Sequence, residues 1–217
     1  MTAKFIVIEG IDGCGKTSAI TAVGKKFPNI HITREPGGPL LAEKIREILL
    51  SEKGSILSSS EQMDLFFAAR QIHILETIKI KRDQGTHVIS DRFDASTFAF
   101  QKCIEVIGER SYINNDLYDK FFSLRNHVVI PCEPSLYIYM KVDPEEGMKR
   151  RALARNQNIN HFDLASLEEQ KRRDISYHKF FEIVEKSTSS RVAVIDANQS
   201  QTKTIDVVVE VVTGEVC

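Results

Sequence analysis

What the sequence has little of narrows its function first. Neither sign of charge is in excess, since 29 Lys and Arg stand against 30 Asp and Glu, a formal net charge of -1. Without a broad basic field the chain is a poor partner for nucleic acid or an anionic membrane, although a small anion needs only a local basic site. The four cysteines, Cys14, Cys103, Cys132 and Cys217, are scattered without metal-ligand spacing and read as reduced thiols. No apolar run approaches the length of a membrane span, and Phe5 to Ile8 is too short for the apolar core of a signal peptide. A soluble, cytoplasmic protein is expected. No repeat, low-complexity tract or linker divides the 217 residues, which are expected to form a single domain, 1–217.

What is present is concentrated in Lys4 to Ser18, KFIVIEGIDGCGKTS. Phe5 to Ile8 is apolar and β-branched, as suits a strand buried on both faces. Gly10 to Thr17 then fits G-x-x-x-x-G-K-[ST], a turn in which successive N–H groups and a helix N-terminus face a polyphosphate. Gly10, Ile11, Asp12, Gly13, Cys14, Gly15, Lys16, Thr17 and Ser18 are the candidate polyphosphate cradle. Lys16 is expected to reach the outer phosphates, and Thr17 to bind Mg²⁺.

Downstream, strands are expected at Ile30 to Thr33, Val88 to Ser90, Leu136 to Val142 and Arg191 to Ile195. Helical spacing marks Ser18 to Phe27, Leu40 to Leu50, Glu61 to Gln84, Ala95 to Ile107, Asp116 to Leu124, Glu145 to Arg155 and Leu167 to Lys186. Ser51 to Ser60 and Gly108 to Asn115 read as loops. Thr204 to Val212 is rich in β-branched residues, yet Ile205, Val208, Val209 and Val212 form a helical stripe, and the alternation of strand and helix predicts a helix. Five strands separated by helices make an α/β protein with a parallel sheet. The third strand runs into Asp91, the position from which P-loop proteins hold Mg²⁺.

A P-loop alone does not separate a switch GTPase, a motor ATPase and a small-molecule kinase. A guanine-reading N-K-x-D is missing, which counts against the first. Arginines after strands or inside apolar helices (Arg34, Arg46, Arg70, Arg92, Arg150, Arg151, Arg155) suit two anionic ligands facing each other. A phosphate acceptor needs no general base, because its second pKa is roughly 6. It needs cations that hold two repelling anions in line.

Five ordered blocks then carry a resemblance: IEGIDGCGKTS, TREPGG at 33–38, LAEKIR at 41–46, FFAAR at 66–70 and DRFDASTFAFQ at 91–101. From Phe5 to about Tyr177 the chain resembles the bacterial-type thymidylate kinases, which make dTDP from dTMP and ATP on the way to dTTP. The resemblance implies a P-loop fold with strand order 2-3-1-4-5 and helices on both faces, a lid at about 149–163, and a homodimer built on helices such as Glu61 to Gln84. It also implies roles. Asp12 accepts from the sugar hydroxyl, Phe66 stacks on thymine, Arg70 bonds a base carbonyl, and Thr97 with Gln101 reads the remaining edge. Glu35 and Arg46 form a ligand-side pair, Phe100 lines the sugar, Asp91 serves the Mg²⁺, and Arg92 clamps phosphate. Because Gly13 stands where one branch of the family has an arginine, the catalytic arginine is expected from the lid, as Arg150 or Arg155. Phe93 and Phe100 replace rings that commonly carry a polar group in the family, which would relax the choice between deoxyribose and ribose. The lid reads HFD at 161–163, where the family tends to have a basic residue and an acid around the Phe. A kinase of another monophosphate or of a nucleoside, and a nucleotide-binding module without catalysis, are the alternatives.

Overall fold

Phe5, Ile6, Val7 and Ile8 have no exposure to solvent, and the strand they form is the middle of the sheet. The computed structural model describes residues 3–108, 110–153 and 161–217. The chain runs β1 (Phe5–Glu9), α1 (Lys16–Lys26), β2 (His31–Arg34), α2 (Leu40–Leu50), a short α3 (Glu52–Ser55) and α4 (Ser59–His73). A π turn at Ile74–Ile78 joins α4 to α5 (Lys79–Asp83), followed by β3 (Val88–Asp91) and α6 (Asp94–Phe100). An antiparallel hairpin, β4 (Ile104–Ile107) and β5 (Arg110–Ile113), precedes α7 (Asn115–Val128) and β6 (Leu136–Lys141). The chain continues through α8 (Pro144–Leu153), α9 (Leu167–Ser187), β7 (Arg191–Asp196) and α10 (Gln201–Val216).

The main sheet is parallel, in the order β2-β3-β1-β6-β7. With the hairpin strands set aside, this is the expected 2-3-1-4-5. Register puts Ile8 opposite Asp91 and Asp91 opposite Arg34, so the ends of β1, β2 and β3 reach one edge together. Sheet order turns back at β1, and the crevice above such a point is where open α/β sheets take ligands.

Three elements differ from expectation. The helix foreseen for Ala95 to Ile107 stops at Phe100, and Lys102 turns the chain with φ 59. Ile104, Val106 and Ile107 then pair as a strand, as their β-branched side chains favour, and Gly108 turns the hairpin at φ 62. The loop foreseen for Ser51 to Ser60 holds α3, and α4 starts two residues before the predicted Glu61 behind a capping box of Ser58 and Glu61. The single helix expected to Gln84 passes through the π turn. Thr204 to Val212 is helical, within α10. The expected lid is described at both ends, in α8 to Leu153 and in a 3₁₀ turn at His161–Leu164.

Candidate active site

Short connections position every group at the strand edge. Gly13, with φ 81, turns the P-loop against α8, where a Cβ would lie 2.0 Å from the Gly147 carbonyl oxygen. Gly147 is equally confined, because its own Cβ would lie 2.6 Å from the Asp12 carbonyl oxygen. The arginine that one family branch carries at this position therefore has no room here. Lys16 opens α1 and folds back over the loop, donating to the carbonyls of Gly10 at 2.8 Å and Ile11 at 3.2 Å. Cys14, Gly15, Thr17 and Ser18 line a cavity of about 770 Å³ together with Asp12, Gly13 and Lys16.

Asp91, also on the cavity wall, has a buried Oδ1 with no hydrogen-bond partner. A buried carboxylate oxygen left open is costly unless something comes to it. Arg92 follows with φ 71, a left-handed backbone that a non-glycine residue adopts only under constraint. Its guanidinium donates to Asp12 Oδ1 at 2.8 Å and, at 3.1 Å each, to the Gly10 carbonyl, Ser96 and Tyr177. Burial alone would favour neutral Arg92, but Tyr177, Asp12, Asp91 and Glu9 hold it charged, above its ordinary value. Asp12 is likewise pulled below the ordinary carboxylate range: burial opposes its charge, yet Arg92, Lys16, Arg151 and Arg173 outweigh that. Arg151 lies 3.4 Å and Arg173 3.8 Å from Asp12 Oδ2.

A free nucleoside as acceptor would need a general base, and Glu9, just ahead of the P-loop, is the residue to test for that role. It is fully buried and accepts from the N–H of Phe93 and Ser96, the Ser96 hydroxyl and the Tyr177 hydroxyl. Burial raises its pKa despite Arg92. With its oxygens committed to α6, it anchors that helix and is not among the residues lining the cavity.

At the other end of the cavity, Gln62, Phe66 and Arg70 lie in one row of α4 at four-residue spacing, facing Thr97 and Gln101 one turn apart on α6. Arg70, 1 % exposed, donates Nε to Glu35 at 2.8 Å and Nη2 to Thr97 at 2.9 Å, while Nη1 has no partner. Glu35 also meets His73 Nδ1 at 2.9 Å, and His73 Nε2 meets the Thr33 hydroxyl at 2.8 Å. Gln101 is fully buried, with Oε1 unpartnered. Phe162, at the lid's end, lies 6.1 Å from the Phe66 ring and 5.8 Å from that of Phe100. Arg173 stacks on Phe100 at 4.0 Å.

Among the described residues the predicted ones line one cavity, except Gly10 and Ile11, which are buried off its wall, Ile11 in the hydrophobic core. Glu35 and Thr97, although on its wall, spend hydrogen bonds on Arg70. Arg46 donates to the Pro36 carbonyl at 2.7 Å, beside a Glu35–Pro36 bond that is cis, and burial with Arg34 nearby lowers its pKa. Arg150 is tied to Glu146 at 2.8 Å and to the Ala197 carbonyl at 2.6 Å, next to the wall formed by Gln199, Ser200 and Gln201. Arg155 lies outside the described residues. Sequence reasoning misses Gln62, His73, Tyr177 and Arg173, and takes Phe162 only as part of the lid's HFD and Arg151 only as one of the arginines suited to two anionic ligands. For Arg173 a signal existed: it is an arginine inside a long helix with buried neighbours, as Arg70 is.

A family model described as Thymidylate kinase matches residues 8–207. The chain is 30% identical over 221 residues to the thymidylate kinase of Bacillus cereus strain ATCC 10987 / NRS 248, covering 98% of each chain. Identity and coverage are the same for the thymidylate kinase of Bacillus mycoides strain KBAB4.

Proposed function

The chain belongs to the thymidylate kinase family, an enzyme that phosphorylates dTMP with ATP, and from that premise we propose how its residues divide the work. One observation carries the reading: beside Phe66, two buried polar atoms are left open, the donor Arg70 Nη1 and the acceptor Gln101 Oε1. Thymine offers the complement, a carbonyl O4 next to an N3–H. Unpaired polar groups of this kind reject a ligand lacking the matching partner far more strongly than apolar contacts do.

Phe66 stacks on the base, Arg70 donates to O4, and Gln101 accepts from N3–H. Glu35, Thr97 and His73 hold Arg70 in place. Asp12 faces the sugar hydroxyl, Phe100 walls the sugar, and Arg46 with Arg92 meets the acceptor phosphate. On the donor side the backbone from Gly10 to Ser18 wraps the phosphates. Lys16 exchanges its loop carbonyls for a phosphate oxygen. An acceptor oxygen then bonds to the γ-phosphorus as the bond to the β–γ bridging oxygen breaks, releasing ADP and dTDP. No base is required, and the cations Lys16, Arg92, Arg151 and Arg173 offset the charge. Arg151 takes the part expected of Arg150, which frames the end of the cavity near 197–201. Arg155 remains a candidate from the lid.

The open Asp91 Oδ1 and the Thr17 hydroxyl on the same cavity suit Mg²⁺, which binds through few protein oxygens plus substrate phosphates. That ion would neutralise phosphate charge. We further infer a homodimer and a cytoplasmic location. Free cysteines and the lack of any membrane-crossing helix among the described residues support the location. A nucleoside kinase is disfavoured because Glu9 is committed.

An ADP-release assay over dTMP, dCMP, dGMP and dAMP tests the reading. Turnover of dTMP is expected to exceed the others, with Lys16→Ala losing roughly 10²–10³-fold in kcat. Equal turnover of dTMP and dCMP would sink the thymine assignment, and an undiminished Lys16→Ala would sink the phosphate role.

A further inference from the structure

We propose that Gln62 is a specificity-determining positioning residue: it fixes which end of the Gln101 amide faces the base, and so makes the pocket one for a pyrimidine carrying N3–H. The inference rests on the reading of Gln101 given above.

An amide side chain is ambiguous in shape, because its oxygen and nitrogen are nearly the same size. Gln101 could accept from N3–H with one end or donate to a bare N3 with the other. Which end faces the cavity must therefore be set from behind. Gln62 does this. It is 8 % exposed, and its Nε2 donates to the Gly54 carbonyl at 3.0 Å and the Leu57 carbonyl at 3.3 Å. Two carbonyl oxygens on one side admit only the NH₂ end, since the reverse would set oxygen against oxygen. Gln62 Oε1 is thereby turned toward α6, where it accepts from Gln101 Nε2 at 3.2 Å. The Gln101 NH₂ is now committed, and only its oxygen, buried and without a partner, is left for the cavity.

The polarity starts in backbone, which cannot flip. The α2–α3 turn is tight enough that a Cβ on Gly54 would lie 2.4 Å from the Leu49 carbonyl oxygen and 2.5 Å from that of Ile48. Its geometry fixes the Gly54 carbonyl. The order then runs from carbonyl to Gln62 to Gln101 to the base, each group donating backward and accepting forward. Cytosine reverses the requirement: its N3 is an acceptor and its 4-position a donor, so it would meet the Gln101 oxygen with a lone pair and Arg70 Nη1 with an N–H. Gln62 never touches the nucleotide in this scheme. Its effect reaches the base through the amide it orients.

The test compares Gln62→Met, Gln62→Ala and Gln62→Glu by steady-state kinetics with dTMP, dUMP and dCMP. Without an acceptor behind it, the Gln101 amide can rotate, so Met and Ala should raise the dCMP to dTMP ratio of kcat/KM by about tenfold or more. The change should lie mainly in the KM of the monophosphate, with the KM of ATP unmoved and dUMP following dTMP. Glu keeps an oxygen that accepts from Gln101 Nε2, and its other oxygen, buried against the Gly54 and Leu57 carbonyls, holds a proton and donates to them, so Gln62→Glu should retain a ratio near that of the parent. An unchanged ratio in Gln62→Met and Gln62→Ala overturns the proposal, as does a Gln62→Glu enzyme that loses selectivity as fully as they do, since Gln62 would then only hold the turn. Using both Met and Ala guards against one of them failing to fold. Gln101→Met separates the underlying reading: if it leaves the KM of dTMP untouched, Gln101 does not read thymine at all, and both fall.

Discussion

At the scale of the residue, the cavity is governed by charges that compensate one another. Asp12 gathers Arg92, Arg151 and Arg173, and its carboxyl is held below the ordinary range. A depressed carboxylate pKa stabilises the fold above the unfolded value, about 3.9, and that contribution is lost as pH falls through the folded value. The urea midpoint of the parent should therefore exceed that of Asp12→Asn at neutral pH, and the gap should close as pH drops below about 4. A gap constant from pH 6 to pH 3 would mean that Asp12 is not held by these cations. The parts of the site that could be read from sequence were those set by local pattern: Lys16, Thr17 and Asp91 follow from the turn and strand they end. Glu35 is expected with Arg46 on the ligand side, and nothing local says that it also meets Arg70 on α4.

At the scale of the element, the P-loop and the start of α8 are packed backbone against backbone at Gly13 and Gly147. Gly13→Ala combines a left-handed φ with a Cβ forced onto a carbonyl, so it should cost at least about 1–3 kcal/mol. For a domain of this size that corresponds to roughly 2–4 °C of melting temperature per kcal/mol. Scanning calorimetry measures this; an unshifted transition would show that the two turns do not bear on each other. The kinetic parameters should fall as well, since α8 carries Arg150 and Arg151. Element boundaries were legible where side-chain periodicity was strong, as in α2 and α9. They failed at β4 and β5, where the apolar residues of Ile104 to Ile107 fit either period and only Gly108 hinted at the turn.

At the scale of the whole molecule, one face of α4 stays without cover among the described residues. Ala68 and Gln71 lie along it, and Leu75 in the π turn, 55% exposed, continues it. A small residue, Ala68, and an exposed apolar one, Leu75, on the same face suit close approach of a second copy, which supports the inferred homodimer. Light scattering on Leu75→Glu should then report a monomer where the parent is a dimer. A parent that is itself monomeric at micromolar concentration would count against the inference. The same α4 presents Phe66 and Arg70 to the cavity on its other side, so dimer loss should also raise the KM of dTMP.

The sequence by itself determined the parallel α/β fold, the glycine-rich loop between β1 and α1, and the family. Those rest on contiguous residues, whose hydrophobic period, turn chemistry and spacing act over one strand and one turn. Tertiary structure alone decided which partner each charged or amide group would find. Glu35 meets Arg70, Arg151 and Arg173 meet Asp12, Tyr177 meets Glu9, and Gln101 is turned by Gln62. A buried polar group must be paired, but the chain offers many partners of the right sign. Only packing of the helices on the sheet brings one of them within hydrogen-bond reach and moves the others away.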